Sequence, residues 1–310
     1  MARMWTWLKG FWQRPLSVAA SPVPPVEGAG SVPAESETPA PTAPPARLTR
    51  PAFTMAWASE VGRVRAHNED GLFVFAGEER AANAMVPFGL FVVSDGMGGH
   101  QSGELASALA MRVAAGQLIS QIYLPLVSGS DRTADQLSLT EVLVDAISKA
   151  NAAITHDLPG SGCTLTCAMA LGDRLYVGHV GDSRAYLLRA GAESLRLTKD
   201  HSFVGRLIEL GQLTEQEAAV HPKRNVLYRA IGQPGELEVD VSTQTLQNGD
   251  RLLLCSDGLW GMVGEPEMWR TVDKADSLQE ACSQLVGAAN LAGGHDNITV
   301  VLAELWPVLE

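Results

Sequence analysis

The chain has 310 residues, of which 46% are hydrophobic and 19% are charged, so it can bury a sizeable core and is not disordered throughout. Its formal net charge of −12 argues against a nucleic-acid scaffold, which needs a basic face, and suits a protein that holds metal ions with carboxylates. The four cysteines show no C-x-x-C spacing and indicate buried, reduced thiols in a cytoplasmic protein.

The start of the chain differs from the rest in composition. Residues 1–16 place four aromatic side chains among basic ones, which suits weak docking on a membrane surface or in a partner's groove. A poorly ordered tail with incidental tryptophans is the alternative. Residues 17–52 are rich in Pro and Ala and predict a disordered linker, because they bury too little apolar surface to offset ordering entropy. A single folded domain is then predicted over residues 53–308.

Strand-like and helix-like segments mix within this domain. Short connections such as Gly172-Asp173 favour antiparallel pairing. Thr214 and Glu217 fit a capping box at the start of a short helix, and Gly211 should end the helix before it. The predicted strands are 53–59, 72–76, 88–94, 164–171, 174–180, 184–190, 237–244, 251–256 and 297–304. The predicted longer helices are 102–122, 139–156, 203–210 and 277–292.

Apolar runs in this domain repeatedly end or begin at an aspartate. A single Asp-Gly is most simply a turn, because Asp bonds its own backbone and Gly takes a positive φ. Five such places in one domain predict that the carboxylates converge on one cleft. They are Glu69-Asp70, Asp95-Gly96, Asp182, Asp257-Gly258 and Asp296-Asn297.

Converging carboxylates need cations between them, since like charges at short distance repel. Hard oxygen ligands select Mg²⁺ or Mn²⁺ rather than zinc. Two such ions lower the pKa of a shared water and stabilise the charge of a phosphoryl group. Arg65 offers a planar fork that matches two phosphate oxygens, and a surface ion pair is the alternative for this residue.

Eight motifs along residues 53–305 make the sequence resemble the metal-dependent Ser/Thr protein phosphatases of the 2C type, in their bacterial form. They occur in the order found in that family, which makes a chance resemblance implausible. The motifs are RAHNED (65–70), SDGMGGH (94–100), GCTL (162–165), VGDSRAY (180–186), LTKDHS (197–202), HPKRNVLYRAIGQ (221–233), CSDGLW (255–260) and GHDNITV (294–300).

The resemblance implies an α+β fold, with a central β-sandwich of two antiparallel sheets flanked by helices in α-β-β-α layers. It also implies a Ser/Thr phosphatase that hydrolyses phosphoserine and phosphothreonine with a water nucleophile held between two Mn²⁺ or Mg²⁺ ions. A phosphoprotein-binding module of the same fold and a metallo-phosphoesterase acting on small esters are the alternatives.

Site residues follow from the resemblance position by position. Asp95 matches the aspartate that bridges both metals, and Gly96 matches the glycine that lends its carbonyl to the second one. Arg65 matches the phosphate-binding arginine, so the expected catalytic residues are Arg65, Asp95 and Asp257. The remaining expected ligands are Asp257 and Asp296 for the first metal, Glu69 and Asp70 for the second, and Asp182 with Asp257 for a third, weaker one.

Other expectations concern substrates. Residues 198–232, called the flap below, match the mobile segment that helps the family choose substrates, and His201 and His221 could contact substrate there. Met97 stands where some members carry a histidine proposed as the general acid, and His100 follows shortly after. The expected partners are phosphorylated targets of a bacterial Ser/Thr kinase. A monomer is expected because no heptad seam is visible.

Overall fold

The computed structural model describes residues 52–81, 84–97, 101–129, 137–191 and 193–306. The predicted docking segment 1–16, the linker up to residue 51 and His100 lie outside these ranges. The strands are β1 (Phe53–Glu60), β2 (Gly71–Ala81), β3 (Ala84–Ser94), β4 (Gly96–Met97), β5 (Gly162–Cys163), β6 (Leu165–Leu171), β7 (Arg174–Val180), β8 (Arg184–Leu188), β9 (Leu195–Arg196), β10 (Asp240–Thr245), β11 (Asp250–Cys255) and β12 (Ile298–Leu305).

Helices pack against the outer faces of the two sheets. They are α1 (Gln101–Leu118), α2 (Leu124–Val127), α3 (Leu139–Asp157), α4 (Phe203–Glu209), α5 (Glu215–Ala219), α6 (Asp257–Trp260), α7 (Glu265–Lys274) and α8 (Leu278–Leu291). A π-helical turn, Ile119–Tyr123, joins α1 to α2. Sheet A has the order β1-β12-β11-β8-β9, sheet B has the order β10-β7-β6-β3-β2, and β4 pairs with β5.

Side chains alternate between the two faces of a strand, so each sheet packs on the other sheet with one face and on helices with the other. This gives four layers, in the order helices, sheet, sheet, helices. In β3, Phe91 and Val93 are buried between the two sheets. Their neighbours Leu90 and Val92 face the other way, into a core shared with α1 and α3. The outer face of sheet A likewise forms a core with α7 and α8. Every described pairing is antiparallel, so the predicted α+β sandwich flanked by helices is confirmed.

The helical stretch Ser102–Val127 is long and apolar enough, by length and composition alone, to cross a membrane. Its Ala106, Ala110, Ala114 and Leu118 are fully or almost fully buried in the core under sheet B. Small residues four apart let α1 lie close to the sheet and to α3. The apolar character of this helix is therefore used in packing.

Most predicted elements are present, with shifted ends. The predicted helix 102–122 divides at the π-helical turn, and the strands predicted at 72–76 and 88–94 are longer, forming a hairpin whose register runs from Gly71↔Ser94 to Ala81↔Ala84. The capping box of Thr214 and Glu217 is confirmed, and Gly211 follows α4 with φ +67°. All four cysteines are buried and unpaired, as expected.

Helix α7 is absent from the sequence expectations. It begins after Gly264 with a proline in its first turn and buries only Met268 and Val272. Five of its ten residues are charged, so its few apolar side chains form no apolar run that would mark the segment as a helix, although they fall on one face.

Candidate metal centre

The pairing of the strands gathers the predicted carboxylates at one end of the sandwich. Asp95 follows the end of β3 and Asp70 precedes the start of β2, and these ends are paired through Gly71↔Ser94. Asp257 follows β11 and Asp296 precedes β12, which are joined near Cys255↔Val300. Asp182 lies just beyond β7, beside the start of β6. Asp70, Asp95, Asp182, Asp257 and Asp296 are called the carboxylate cluster below.

The pKa values of this cluster show how closely its members interact. Burial, together with the charges of Asp257 and Asp296, raises the pKa of Asp70 to about 7. Burial and the charge of Asp296 raise the pKa of Asp257 to about 6. The pKa values of Asp95 and Asp182 lie well above the usual range, through burial first and then through neighbouring aspartates. These four carboxylates therefore resist ionisation unless a cation is near.

Two oxygens of the cluster lack the hydrogen bonds that buried polar atoms normally have. Within the described residues, neither Asp70 Oδ1 nor Asp257 Oδ1 has a hydrogen-bond partner, although both are buried. The other Asp70 oxygen accepts from Ser256 Oγ at 2.8 Å. Free carboxylate oxygens within one cluster are the donor set that Mg²⁺ and Mn²⁺ prefer. The residues present thus fit a divalent metal.

The cluster is not a closed cage. Among the side chains of the described ranges, no three His, Cys, Asp or Glu groups are gathered tightly enough to hold an ion without movement. Carboxylates of like charge repel, so coordination requires their oxygens to close in around a cation.

Backbone contacts fix Asp95 and Gly96. The Asp95 N–H donates to Thr164 Oγ1 at 2.8 Å, and the Thr164 N–H donates back to the Asp95 carbonyl at 2.8 Å. Gly96 donates to the Glu69 carbonyl at 3.1 Å. A Cβ at Gly96 would overlap the backbone oxygen of Gly103, so only glycine fits here.

The two remaining predicted residues lie at the edge of the cluster. Glu69 is buried, and a Cβ at Gly103 would stand 2.8 Å from its carboxylate, so this side chain packs against the first turn of α1. Arg65 Nη2 donates to Asp296 Oδ2 at 2.6 Å, with 47% of the Arg65 side chain exposed. Arg65 therefore forms the ion pair that was the alternative to phosphate binding, but its partner Asp296 belongs to the carboxylate cluster.

Asn297 is a positioning residue that the sequence reasoning missed. It is 4% exposed, and its side chain accepts from the Glu69 N–H and donates to the carbonyls of Val61 and His67. These bonds fasten the loop that carries Arg65, Glu69 and Asp70 beside Asp296. The sequence did carry a signal for this role, because Asn297 is a polar residue between the candidate ligand Asp296 and an apolar strand.

A cavity of about 810 Å³ opens from the carboxylate cluster toward the flap. Asp182, Asp257 and Asp296 line it together with Val204 and Ile208 of α4. A phosphate ester placed at the aspartates therefore has room for its attached chain beside the flap.

The flap histidines differ in their surroundings. His201 is 2% exposed and does not line the cavity, so the expectation that it contacts substrate is wrong: hydrogen bonds to backbone hold it inside the fold. The His221 ring stacks near Phe203, with 5.7 Å between ring centroids. His221 is half-buried there, and its contact with substrate stays a prediction.

Comparisons with known proteins agree on one family. The family model described as protein phosphatase 2C matches residues 66–292. The serine/threonine phosphatase Stp of Listeria innocua is 37% identical over 243 residues, which are 78% of this chain and 92% of that relative.

Solved structures give the same result. The crystal structure of the Mycobacterium tuberculosis serine/threonine phosphatase PstP/Ppp superimposes with a TM-score of 0.67 and 36% identity, covering 82% of this chain and 99% of that one. The catalytic domain of PstP in complex with two manganese ions superimposes with a TM-score of 0.65 and 34% identity, covering 82% and 98% of the two chains.

Proposed function

The chain belongs to the protein phosphatase 2C family and is a metal-dependent serine/threonine protein phosphatase, and we propose that the carboxylate cluster is its catalytic metal centre. The observation that carries this assignment is the pair of buried, unpartnered oxygens on Asp70 and Asp257. They belong to a cluster in which burial and mutual repulsion raise the pKa values of Asp70 and Asp257. A divalent cation removes both costs at once.

Each residue of the cluster has a proposed role. Asp95 is the shared ligand of two metals, and the Gly96 carbonyl serves the second. Bound divalent cations supply Lewis acidity at the phosphoryl oxygens and lower the pKa of water. The other proposed ligands are Asp257 and Asp296 for the first metal, Asp70 and Glu69 for the second, and Asp182 with Asp257 for a third, weaker one.

Arg65 is the proposed anchor for the phosphate. Its guanidinium stands at the open edge of the cluster and is held there by Asp296. A planar guanidinium binds two phosphate oxygens at once and thereby orients the ester for attack. The ion pair with Asp296 thus places a positive charge where the substrate needs it.

The leaving Ser or Thr oxygen needs a proton after the phosphorus–oxygen bond breaks. Met97, which stands where some family members have a histidine, carries no acidic group. We therefore assign this proton to water in the open cleft. His100 lies outside the described residues.

The substrates of the enzyme are phosphorylated proteins. We propose targets of a bacterial Ser/Thr kinase, and a monomeric enzyme acting in the cytoplasm, where four unpaired thiols remain reduced. We also propose that residues 1–16 dock weakly on a membrane surface or a partner, with residues 17–52 as a leash to the catalytic domain at 53–308. Equal liposome co-sedimentation of the full chain and a chain starting at Pro51 would exclude membrane docking.

A substrate panel tests the function. Phosphate release is measured from phosphothreonine, phosphoserine and phosphotyrosine peptides, p-nitrophenyl phosphate and a nucleoside monophosphate, with Mn²⁺ and with excess EDTA. We expect metal-dependent release from the phosphothreonine and phosphoserine peptides. Binding of these peptides without release would indicate a binding module. Release from small esters alone would indicate a different phosphoesterase.

A further inference from the structure

The first residues of the flap hold the loop that carries Asp182. The His201 N–H donates to the Gly181 carbonyl at 2.7 Å, and the Gly181 N–H donates to His201 Nδ1 at 3.1 Å. Gly181 has φ +114°, and a Cβ there would stand 2.6 Å from the Thr164 side chain. This reciprocal pair therefore holds a backbone conformation that only glycine adopts easily.

The His201 ring has a polar partner at each nitrogen. Nδ1 accepts a hydrogen bond from the Gly181 N–H, while Nε2 lies 3.2 Å from Asp240 Oδ2 and 3.1 Å from Arg229 Nη1. Burial lowers the pKa of His201, which keeps the ring neutral. The ring is thus held from both sides, by β10 through Asp240 and by Gly181.

A second connection reaches the same loop from Asp200. Its carboxylate accepts from Arg184 Nε at 3.1 Å and from Arg184 Nη2 at 2.7 Å. The Arg184 guanidinium lies 3.6 Å from the centre of the Trp260 ring, and Trp260 Nε1 donates to the Asp182 carbonyl at 3.0 Å. Asp200 therefore supports Asp182 through two intermediate side chains.

The flap also closes on His201 from its far end. The Tyr228 N–H donates to the His201 carbonyl at 3.0 Å. Val204, three residues after His201, lines the same cavity as Asp182. A movement of the flap at the cavity wall therefore has a short route to the backbone of Gly181 and Asp182, through His201 and its two hydrogen bonds to Gly181.

We propose that Asp200 and His201 are positioning residues that fix Asp182, so that the base of the flap sets the metal affinity of the third, weaker site. The inference rests on the proposed function, because it needs Asp182 to be a ligand. A purely structural role would weaken the whole fold and leave metal binding unchanged once the protein is folded. Metal binding measured on folded protein distinguishes the two roles.

The first test compares two substitutions of His201. In His201→Asn, the amide oxygen stands near the place of Nδ1 and can still accept from Gly181, whereas His201→Leu removes the acceptor. Mn²⁺ binding to metal-free full-length protein is followed by isothermal titration, with Asp182→Asn identifying the weak site. Since partners behind a ligand commonly contribute about 10- to 100-fold in metal affinity, we expect about a tenfold weaker third site in the Leu variant. We expect near-wild-type binding in the Asn variant.

The second test does not depend on the stability of the His201 variants. Trp260→Phe keeps an aromatic ring under Arg184 and removes only the donor to the Asp182 carbonyl. Trp269→Phe is the matched control, because Trp269 Nε1 has no hydrogen-bond partner among the described residues. We expect weaker Mn²⁺ binding at the third site for Trp260→Phe and wild-type binding for Trp269→Phe.

The outcomes separate the inference from the function. Unchanged binding at the third site in folded His201→Leu or in Trp260→Phe would overturn the inference. A wild-type protein that binds two Mn²⁺ ions and no weaker third one would also overturn it, while the two-metal centre would stand. A wild-type protein that binds no Mn²⁺ would overturn the proposed function itself.

Discussion

The side-chain oxygen of Asn297 accepts the backbone N–H of Glu69 at 2.8 Å, although the two residues are 228 positions apart in the sequence. The Asn297 amide nitrogen donates to the carbonyls of Val61 and His67, each at 2.9 Å. One buried side chain thus joins the start of β12 to the loop before β2. The loop brings Arg65 and Asp70 to the same place as Asp296.

Asn297→Ala should separate these two parts of the site. It leaves two carbonyls and one N–H without their partner, and a buried unpaired polar group costs about 1–3 kcal/mol. We expect a lower unfolding midpoint and a loss of phosphatase activity of at least about tenfold, since misplacement of the phosphate anchor affects orientation. Thermal unfolding and phosphate release are measured on the same preparation. Wild-type activity per folded molecule would contradict the role given to Asn297.

Stabilisation by Mn²⁺ should increase with pH. The pKa values of Asp70 and Asp257 are raised to about 7 and about 6, so the folded metal-free protein binds more protons than the unfolded chain between about pH 4 and 7. The contribution of these two groups to the stability of the metal-free protein therefore falls as pH rises through that range. Because a cation competes with protons for the same carboxylates, it binds better as the protons leave.

The measurement is the difference in unfolding temperature with Mn²⁺ and with EDTA, from pH 5 to 7.5. His179 has the opposite effect on stability, because burial lowers its pKa to about 4 and the folded protein therefore gains stability as pH rises. This effect is present with and without Mn²⁺, so it cancels in the difference. We expect the difference to grow toward neutral pH, reaching about 5–10 °C when Mn²⁺ is about a hundredfold above its dissociation constant. A difference that is constant with pH would show that the cation binds elsewhere.

Asp95→Asn and Asp257→Asn should abolish hydrolysis of p-nitrophenyl phosphate while the fold remains intact. Each replaces a buried carboxyl group by a neutral amide in a cluster in which burial and like charges raise the pKa values of Asp95 and Asp257. In EDTA at pH 7.5, we therefore expect unfolding midpoints at or above that of the wild type. Calorimetry and the ester assay check both halves, and a wild-type rate in either variant would exclude the assigned metal roles.

Gly258→Ala should damage the site by steric overlap. A Cβ at Gly258 would collide with the backbone oxygen of Asn297, and a backbone atom cannot turn aside as a flexible side chain can. Overpacking of this kind costs about 1–3 kcal/mol, and it would push Asp257 away from Asp296. Gly287→Ala in α8 is the control, because a Cβ there meets nothing within 4 Å of it in the described structure. The control should gain about 0.5–1 kcal/mol from helix propensity and keep full activity.

Arg65→Lys should weaken phosphate recognition. Lysine keeps the charge but lacks the planar fork that binds two oxygens. We expect kcat/KM for a phosphothreonine peptide to fall about 10- to 100-fold and inhibition by inorganic phosphate to weaken in parallel. The exposed Arg63, two residues earlier, provides the matched control Arg63→Lys, which should behave as wild type. Equal kinetics for both variants would leave Arg65 with a surface ion pair only.

The sequence could predict the convergence of the carboxylates because turn chemistry and strand ends are local. Asp95-Gly96 and Asp257-Gly258 stand just after apolar strands, and antiparallel pairing places the start of the neighbouring strand beside each of these ends, which brings Asp70 near Asp95 and Asp296 near Asp257. What it could not show are contacts over long separations. His201 looked like a substrate contact because it stands at the border of the flap, whereas its partner Gly181 lies twenty residues earlier.

The most direct test of the metal centre is anomalous diffraction from crystals soaked in Mn²⁺, recorded for the wild type and for Asp95→Asn. We predict two strong manganese peaks in contact with the Asp95 carboxylate, with Asp257 and Asp296 beside one of them. We predict the loss of at least one peak in the variant. Manganese peaks away from the carboxylate cluster, or peaks unchanged by Asp95→Asn, would contradict the assignment of this cluster as the catalytic metal centre.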